Sequence, residues 1–443
     1  MLGAGARMEI HKKRRPELVA GLRECLRAIW VDHQIYVDVA TLVDFDEVES
    51  RLSTEEQKVL KRYVGERPLV NFAQAFLNNR FEYRAYTHGA RERLTEFCDV
   101  HELAEAMVCS IEKLPHEYTF ALAFSDALNS VIPEGQWSIS PTIHVAKGDL
   151  FRSKFPFHRE EVPDDDRFMV KFAKLLDQPV PAPDKAHIIF CMSGYLQRFS
   201  ASPSQEVVDL QIRSFFGLAL VFNVVQYHVP PPKMEHVYVY AHVPNAHGPN
   251  EPWLRFALST STSRVIQALN AANTGPTWGW TDLAGNGGEW VRWVLEHHKG
   301  ERLVRAARWF FDSFGADSLL LQYLQAMICL EILVGDEASK GQETSIVFTL
   351  KNRCAYLIGV DLAERDKIMR DIGRIYQVRS DIVHNGLSQL STEDRALLPL
   401  LRWYCARVIT TEAQRLGAVV PPPPNTGMQL TLENAEGAKA GQD

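Results

Sequence analysis

The chain has 443 residues, of which 46% are hydrophobic, 23% charged and 10% aromatic, with a formal net charge of -7. That length exceeds what one hydrophobic core supports and predicts two or three domains. The acidic balance argues against a general coat for polyanions, though not against a local basic groove.

The seven cysteines (Cys25, Cys98, Cys109, Cys191, Cys329, Cys354 and Cys405) are odd in number and scattered. With no CxxC pair, no HExxH and no Cys/His cluster at zinc spacing, no metal site and no cofactor is expected, and the thiols read as reduced. Lys12, Lys13, Arg14 and Arg15 stand near the N-terminus with no apolar run or cleavage site behind them. The longest apolar stretch, 318–335, is interrupted by Gln322, Gln325 and Glu331, which marks a buried helix and not a membrane span. The expected location is the cytoplasm, with no membrane partner.

From 15 to 113 short apolar groups recur at three- and four-residue spacing, as in Leu18, Leu22, Cys25, Leu26 and Ile29, so residues 1–130 form a mainly helical region. Residues 131–286 have an α+β texture. Segments 185–196, 236–243 and 253–259 are rich in β-branched and aromatic residues and predict strands. Between the first two, Ser202 suits a helix N-cap, Pro203 the first helical position and Gln205 a capping box. That helix runs through Val207, Leu210, Phe215, Leu218 and Phe222 until Pro230, Pro231 and Pro232 stop it. Two linkers are expected, at 179–184 and 273–288. The glycine run 285–288 lacks the preceding strand and following lysine of a nucleotide loop, which favours a linker over an anion cradle. No metal-ligand cluster, nucleophile elbow or phosphate loop appears in residues 1–286, so no independent catalytic site is expected there.

Residues 287–417 read as a helical bundle, with helices at 289–298, 302–314, 318–334, 343–357, 363–384 and 392–416, the last capped by Ser391. The third is apolar on nearly every face and belongs at the centre. The tail, 418–443, holds four prolines and then polar residues, and is expected to be disordered. The fold class is therefore α+β, a mixed N-terminal region followed by an all-α bundle.

The one constellation that reads as chemistry closes the fifth helix of the bundle: Arg379-Ser380-Asp381-Ile382-Val383-His384, followed by Asn385-Gly386. The spacing alone is common, since Arg27/His33, Arg152/His158 and Arg292/His297 fit it loosely, so the setting decides. Three segments carry it: CLEILVGD at 329–336, LKNRCAYLIG at 350–359 and IYQVRSDIVHNG at 375–386. In order and spacing these resemble the HEPN superfamily, in particular its Apea-like branch, over about 130 residues. The resemblance implies a metal-independent endoribonuclease, acting in phage defence or a toxin–antitoxin system, and a homodimer in which two such motifs face one cleft. It places catalysis on Arg379 and His384, and RNA contact or orientation on Ser380, Asp381 and Asn385. Members of the family commonly place Asn, Asp or His directly after the arginine; here Ser380 stands there, with Asp381 one later.

The residue types suit the task. Cleavage through the ribose 2′-OH needs a group that moves a proton near neutrality and a fixed cation for phosphoryl charge. Imidazole supplies the first, and guanidinium the second through two parallel hydrogen bonds. Five residues set the pair about 140° apart on an ideal helix, so the two must flank a groove, or the helix must loosen at Asn385-Gly386. A structural reading stands beside this one: Arg379 anchors a carboxylate of the bundle, with Glu331 as its structural partner, and His384 answers the negative end of the helix dipole. Residues 302–416 carry 15 Lys/Arg against 14 Asp/Glu, so RNA would be recognised locally or delivered by a regulatory partner. Arg365, Lys367, Arg370 and Arg374, interleaved with Glu364, Asp366 and Asp371, read as a solvated face, and His297-His298 as a polar helix end.

Overall fold

The computed structural model describes residues 7–31, 35–36, 39–85, 92–96, 98–124, 136–154, 185–196, 203–228, 236–242, 253–271, 288–335 and 346–418. The expected linkers at 179–184 and 273–287, the Ser202 cap and the tail from 419 onward lie outside these residues. The protein is mixed α/β, and its contacts divide it into two units: Met1–Ile212 with His236–Ser259, and Arg213–Glu235 with Thr260–Asp443.

The first unit begins with α1 (Arg15–Ala28), α2 (Val39–Ser50), α3 (Thr54–Val64), α4 (Pro68–Ala85) and α5 (Val100–Glu112). The spacing of Leu18, Leu22, Cys25 and Leu26 puts all four into one core with Leu103, Met107 and Ile111 of α5. Ser53 opens α3 with a reciprocal capping box: its Oγ accepts from the Glu56 N–H, and the Glu56 carboxylate accepts from the Ser53 N–H at 2.6 Å. Short strands β1 (Trp30–Val31), β2 (Ile35–Tyr36) and β3 (Glu92–Arg93) form a small antiparallel sheet in the order β2-β1-β3.

The main sheet starts with β4 (His116–Ala123), β5 (Gln136–Ser140) and β6 (Ile143–Ala146); α6 (Gly148–Lys154) and β7 (His187–Gly194) follow. The long α7 (Pro203–Val221) leads on to β8 (Val225–Tyr227) in the second unit, after which β9 (Tyr238–His242) and β10 (Trp253–Ala257) complete the sheet. Its six strands lie in the order β10-β9-β4-β7-β6-β5, antiparallel throughout. Strand β4 pairs with β7 along its whole length, from His116 opposite Gly194 to Ala123 opposite His187. Its alternate residues Tyr118, Phe120 and Leu122 are buried on one face, as the two-residue period of a strand requires.

The second unit adds α8 (Thr260–Ala268) and β11 (Leu269–Ala271), which pairs with β8. The bundle follows: α9 (Gly288–Glu296), α10 (Glu301–Gly315), α11 (Leu319–Val334), α12 (Ile346–Ile358), α13 (Leu362–His384) and α14 (Thr392–Arg415). Helix α11 packs against α10, α12, α13 and α14, and its central residues Tyr323, Ala326, Met327, Cys329 and Leu330 are almost wholly removed from solvent. Ser318 and Ser391 cap α11 and α14 by accepting from the backbone N–H three residues on. The second half of α7 lies on α10 so closely that Gly217 touches the backbone of Ala307.

The structure departs from the sequence reading in four places. Only β7, β9 and β10 were expected; the other strands were not, and β1 to β4 fall inside the region read as mainly helical. Helix α7 stops at Val221, not at the prolines. Asn223 turns the chain with φ +56, a conformation asparagine tolerates, and the β-branched Val224 and Val225 lead into β8. The expected boundary near 287 does not mark the unit border, because Arg213–Glu235 and the chain from Thr260 group with the bundle, while His236–Ser259 group with the first unit. The first turn of α11 leaves Leu319 and Leu321 exposed, so that helix is central only from Tyr323 onward.

Candidate functional site

Helix α13 is held from several sides before it reaches its motif. Asp361 caps its start by accepting from the Glu364 N–H at 2.8 Å. The Arg407 guanidinium binds Glu364 at 2.6 Å, the Tyr404 hydroxyl donates to Asp371 at 2.7 Å, and the Tyr323 hydroxyl donates to the Ile375 carbonyl at 3.1 Å. Burial and the Asp371 carboxylate both push the Tyr404 hydroxyl pKa far up, so it stays a donor. Ile368, Ile372, Ile375 and Val378 face the core. The helix therefore arrives at Arg379 without freedom to rotate.

Arg379 meets Glu331 of α11. Its Nε lies 3.4 Å from Glu331 Oε1, and the two side chains keep 26% and 29% of their exposure. Burial raises the Glu331 pKa, and the Arg379 charge and hydrogen bond pull it back only in part. The Tyr376 ring lies beneath the guanidinium, 5.9 Å from centroid to Cζ. Among the described residues no other partner engages Arg379, so its terminal nitrogens are not committed within the bundle. One helical turn beyond Glu331, the Arg353 side chain of α12 donates to the Val334 carbonyl at 3.0 Å and ties off the end of α11.

His384 is the last residue of α13 and is exposed. Among the described residues its ring makes no hydrogen bond. Asp381, one turn back, forms a clasp: its Oδ1 accepts from Gln377 Nε2 at 3.1 Å and Asn385 Nδ2 at 2.7 Å. Its carbonyl accepts from the N–H groups of Asn385 and Leu387, both at 3.1 Å. Gly386, with φ +65, supplies the left-handed turn that this ending needs. Ser380 is half-buried and makes no side-chain hydrogen bond among the described residues.

Of the residues singled out in the sequence, the structure thus brings Arg379 to Glu331 and Asp381 to Asn385. It does not join His384 to either pair, nor Ser380 to anything. The helix stays regular through His384, so arginine and histidine occupy faces about 140° apart, and the loosening at Asn385-Gly386 comes one residue too late to change that. Gln377 was missed as a member of the clasp, although its four-residue steps to Asp381 and Asn385 were visible in the sequence. Among the described residues no group of three or more His, Cys, Asp or Glu is placed to hold a metal ion, and no helix is long and apolar enough to cross a membrane.

Fold and site together define an α+β protein whose C-terminal helical bundle presents an arginine–histidine pair at the end of its fifth helix. No family model, no curated protein and no solved structure matches the chain.

Proposed function

We propose that the helical unit is an endoribonuclease of the HEPN type, which cleaves RNA through its own 2′-OH and works in the cytoplasm as a homodimer, in phage defence or a toxin–antitoxin system. One observation carries this reading. Arg379 meets Glu331 through Nε at 3.4 Å while its other nitrogens have no partner among the described residues, and His384 stands exposed at the end of the same helix. A guanidinium held by one edge is oriented to grip a phosphate with the other. In the reaction the 2′-oxygen attacks phosphorus as its proton passes to a base, and the bond to the 5′-oxygen breaks as that oxygen receives a proton. Two His384 side chains across a dimer divide these roles, and each Arg379 meets the charge that develops on the phosphoryl oxygens. The first unit serves as sensor or regulator.

The test is incubation of the full chain with mixed RNA in excess chelator. Products ending in a 2′,3′-cyclic phosphate and beginning with a 5′-OH are expected. His384→Ala abolishes cleavage with the fold retained, and Arg379→Lys fails as well because an ammonium cannot make the two-pronged contact. The contact between Arg379 and Glu331 also favours a second reading, a non-catalytic dimerisation or RNA- or nucleotide-binding module in which the arginine is structural. That reading expects no cleavage by the parent protein, and a His384→Ala variant indistinguishable from it.

A further inference from the structure

Gly373 is the one glycine in α13, and it lies in the helix interior, where glycine weakens a helix relative to alanine. The neighbouring helix comes close at this point. A Cβ at this position would come within 2.5 Å of Lys351 Cε and 2.7 Å of Lys351 Nζ. The side chain of Lys351, from α12, thus ends directly over the α13 backbone at the space the missing methyl group leaves. The lysine is half-buried, and among the described residues it has no acidic partner.

That position shares a face of α13 with the histidine end of the motif. Gly373, Gln377, Ser380 and His384 succeed one another at steps of four, three and four residues, so they share one face of α13. His384 lies 11 residues beyond Gly373, about 16 Å along the axis at ~1.5 Å per residue. Arg370, exposed, lies one turn before Gly373 on the adjoining face of α13. The acid on the same face, Asp366, stands two turns farther from His384, and Asp381 is engaged by Gln377 and Asn385. Between the motif and Gly373, then, the face offers an ammonium and, among the described residues, no uncommitted carboxylate.

We infer that Lys351 is a positioning residue for the RNA strand: its ammonium, over Gly373, binds a backbone phosphate a few nucleotides from the one at which Arg379 and His384 act. This rests on the endoribonuclease reading above. A phosphate contact of this kind adds affinity without sequence preference, and it releases a counterion when it forms.

The experiment uses the full chain with a fluorescent, mixed-sequence single-stranded RNA, following cleavage kinetics and salt-dependent binding. Lys351→Gln is expected to raise KM and Kd roughly five- to tenfold, with kcat changed less than about twofold. The slope of log K against log salt should fall by about 0.7, the value for one phosphate contact on a single strand. Gly373→Ala keeps the charge and favours the helix but displaces the ammonium, so it should weaken binding in the same direction. Lys351→Arg should restore the slope. A lysine with a packing role alone would lower the melting temperature and leave the slope unchanged. Parent-like KM and slope in both Lys351→Gln and Gly373→Ala, in a parent that cleaves, would overturn the inference and leave the nuclease reading standing. A parent that neither binds nor cleaves RNA would overturn both.

Discussion

A carboxylate in an otherwise apolar helix needs an answer, and for Glu331 the answer is Arg379. Burial still raises the Glu331 pKa, which sets the direction of its effect on stability. A carboxyl whose pKa is higher folded than unfolded supports the fold below the unfolded value and loses that support as pH rises through the folded one. Removing the arginine raises the folded pKa further. Arg379→Gln should therefore melt below the parent at neutral pH, by about 1–2 kcal/mol given that both side chains keep partial exposure. The deficit should close as pH falls below the raised folded pKa of Glu331, where the carboxyl is protonated in both proteins. A deficit independent of pH in calorimetry would show that Arg379 contributes packing and not charge. The sequence showed that Glu331 needed a partner and named Arg379 for it, because a lone acid in an apolar stretch has few solutions. It did not show that Asp381 would turn away from His384 towards Gln377 and Asn385, since side-chain rotamers at a helix end follow from local competition between donors.

Among elements, the contact of α7 with α10 makes the sharpest prediction. Gly217 stands where any Cβ would meet the carbonyl of Ala307, and a backbone cannot step aside as a side chain can. Gly217→Ala should destabilise the second unit by about 1–3 kcal/mol despite the better helix propensity of alanine, and a thermal midpoint at or above that of the parent would refute it. The bundle helices were legible from periodicity, with Ser391 capping as expected and Ser318, read as the first residue of its helix, serving as that helix's cap. Three of the six strands of the main sheet were not. In β4 the alternation of Tyr118, Phe120 and Leu122 is plain once seen, but the strand directly follows a helical run, and β5 and β6 are too short for a pattern to stand out. The end of α7 was misplaced because three prolines are a louder stop than one asparagine with positive φ.

At the scale of the molecule, the second unit includes residues well upstream of the glycine-rich segment. Phe216 packs near Phe311 at 6.4 Å between ring centroids, Phe222 meets Trp290 at 5.9 Å, and Arg213 pairs with Asp312 at 3.1 Å. A fragment beginning at Gly288 loses all three partners and leaves the α10 face bare. It should aggregate or melt non-cooperatively, whereas the full chain should not. A sharp, reversible unfolding transition of that fragment, matching the second unit in the full chain, would count against this account. The same division governs how such a protein can be inherited. Its chain passes between the units at 212–213, 235–236 and 259–260, so one splice cannot lift out either half. Recombination that exchanged only the region after residue 287 would carry the arginine–histidine pair away from the helix its bundle rests on. The motif and the middle of the chain should therefore travel together through evolution, and swaps that preserve the protein will be those with breakpoints at all three crossings.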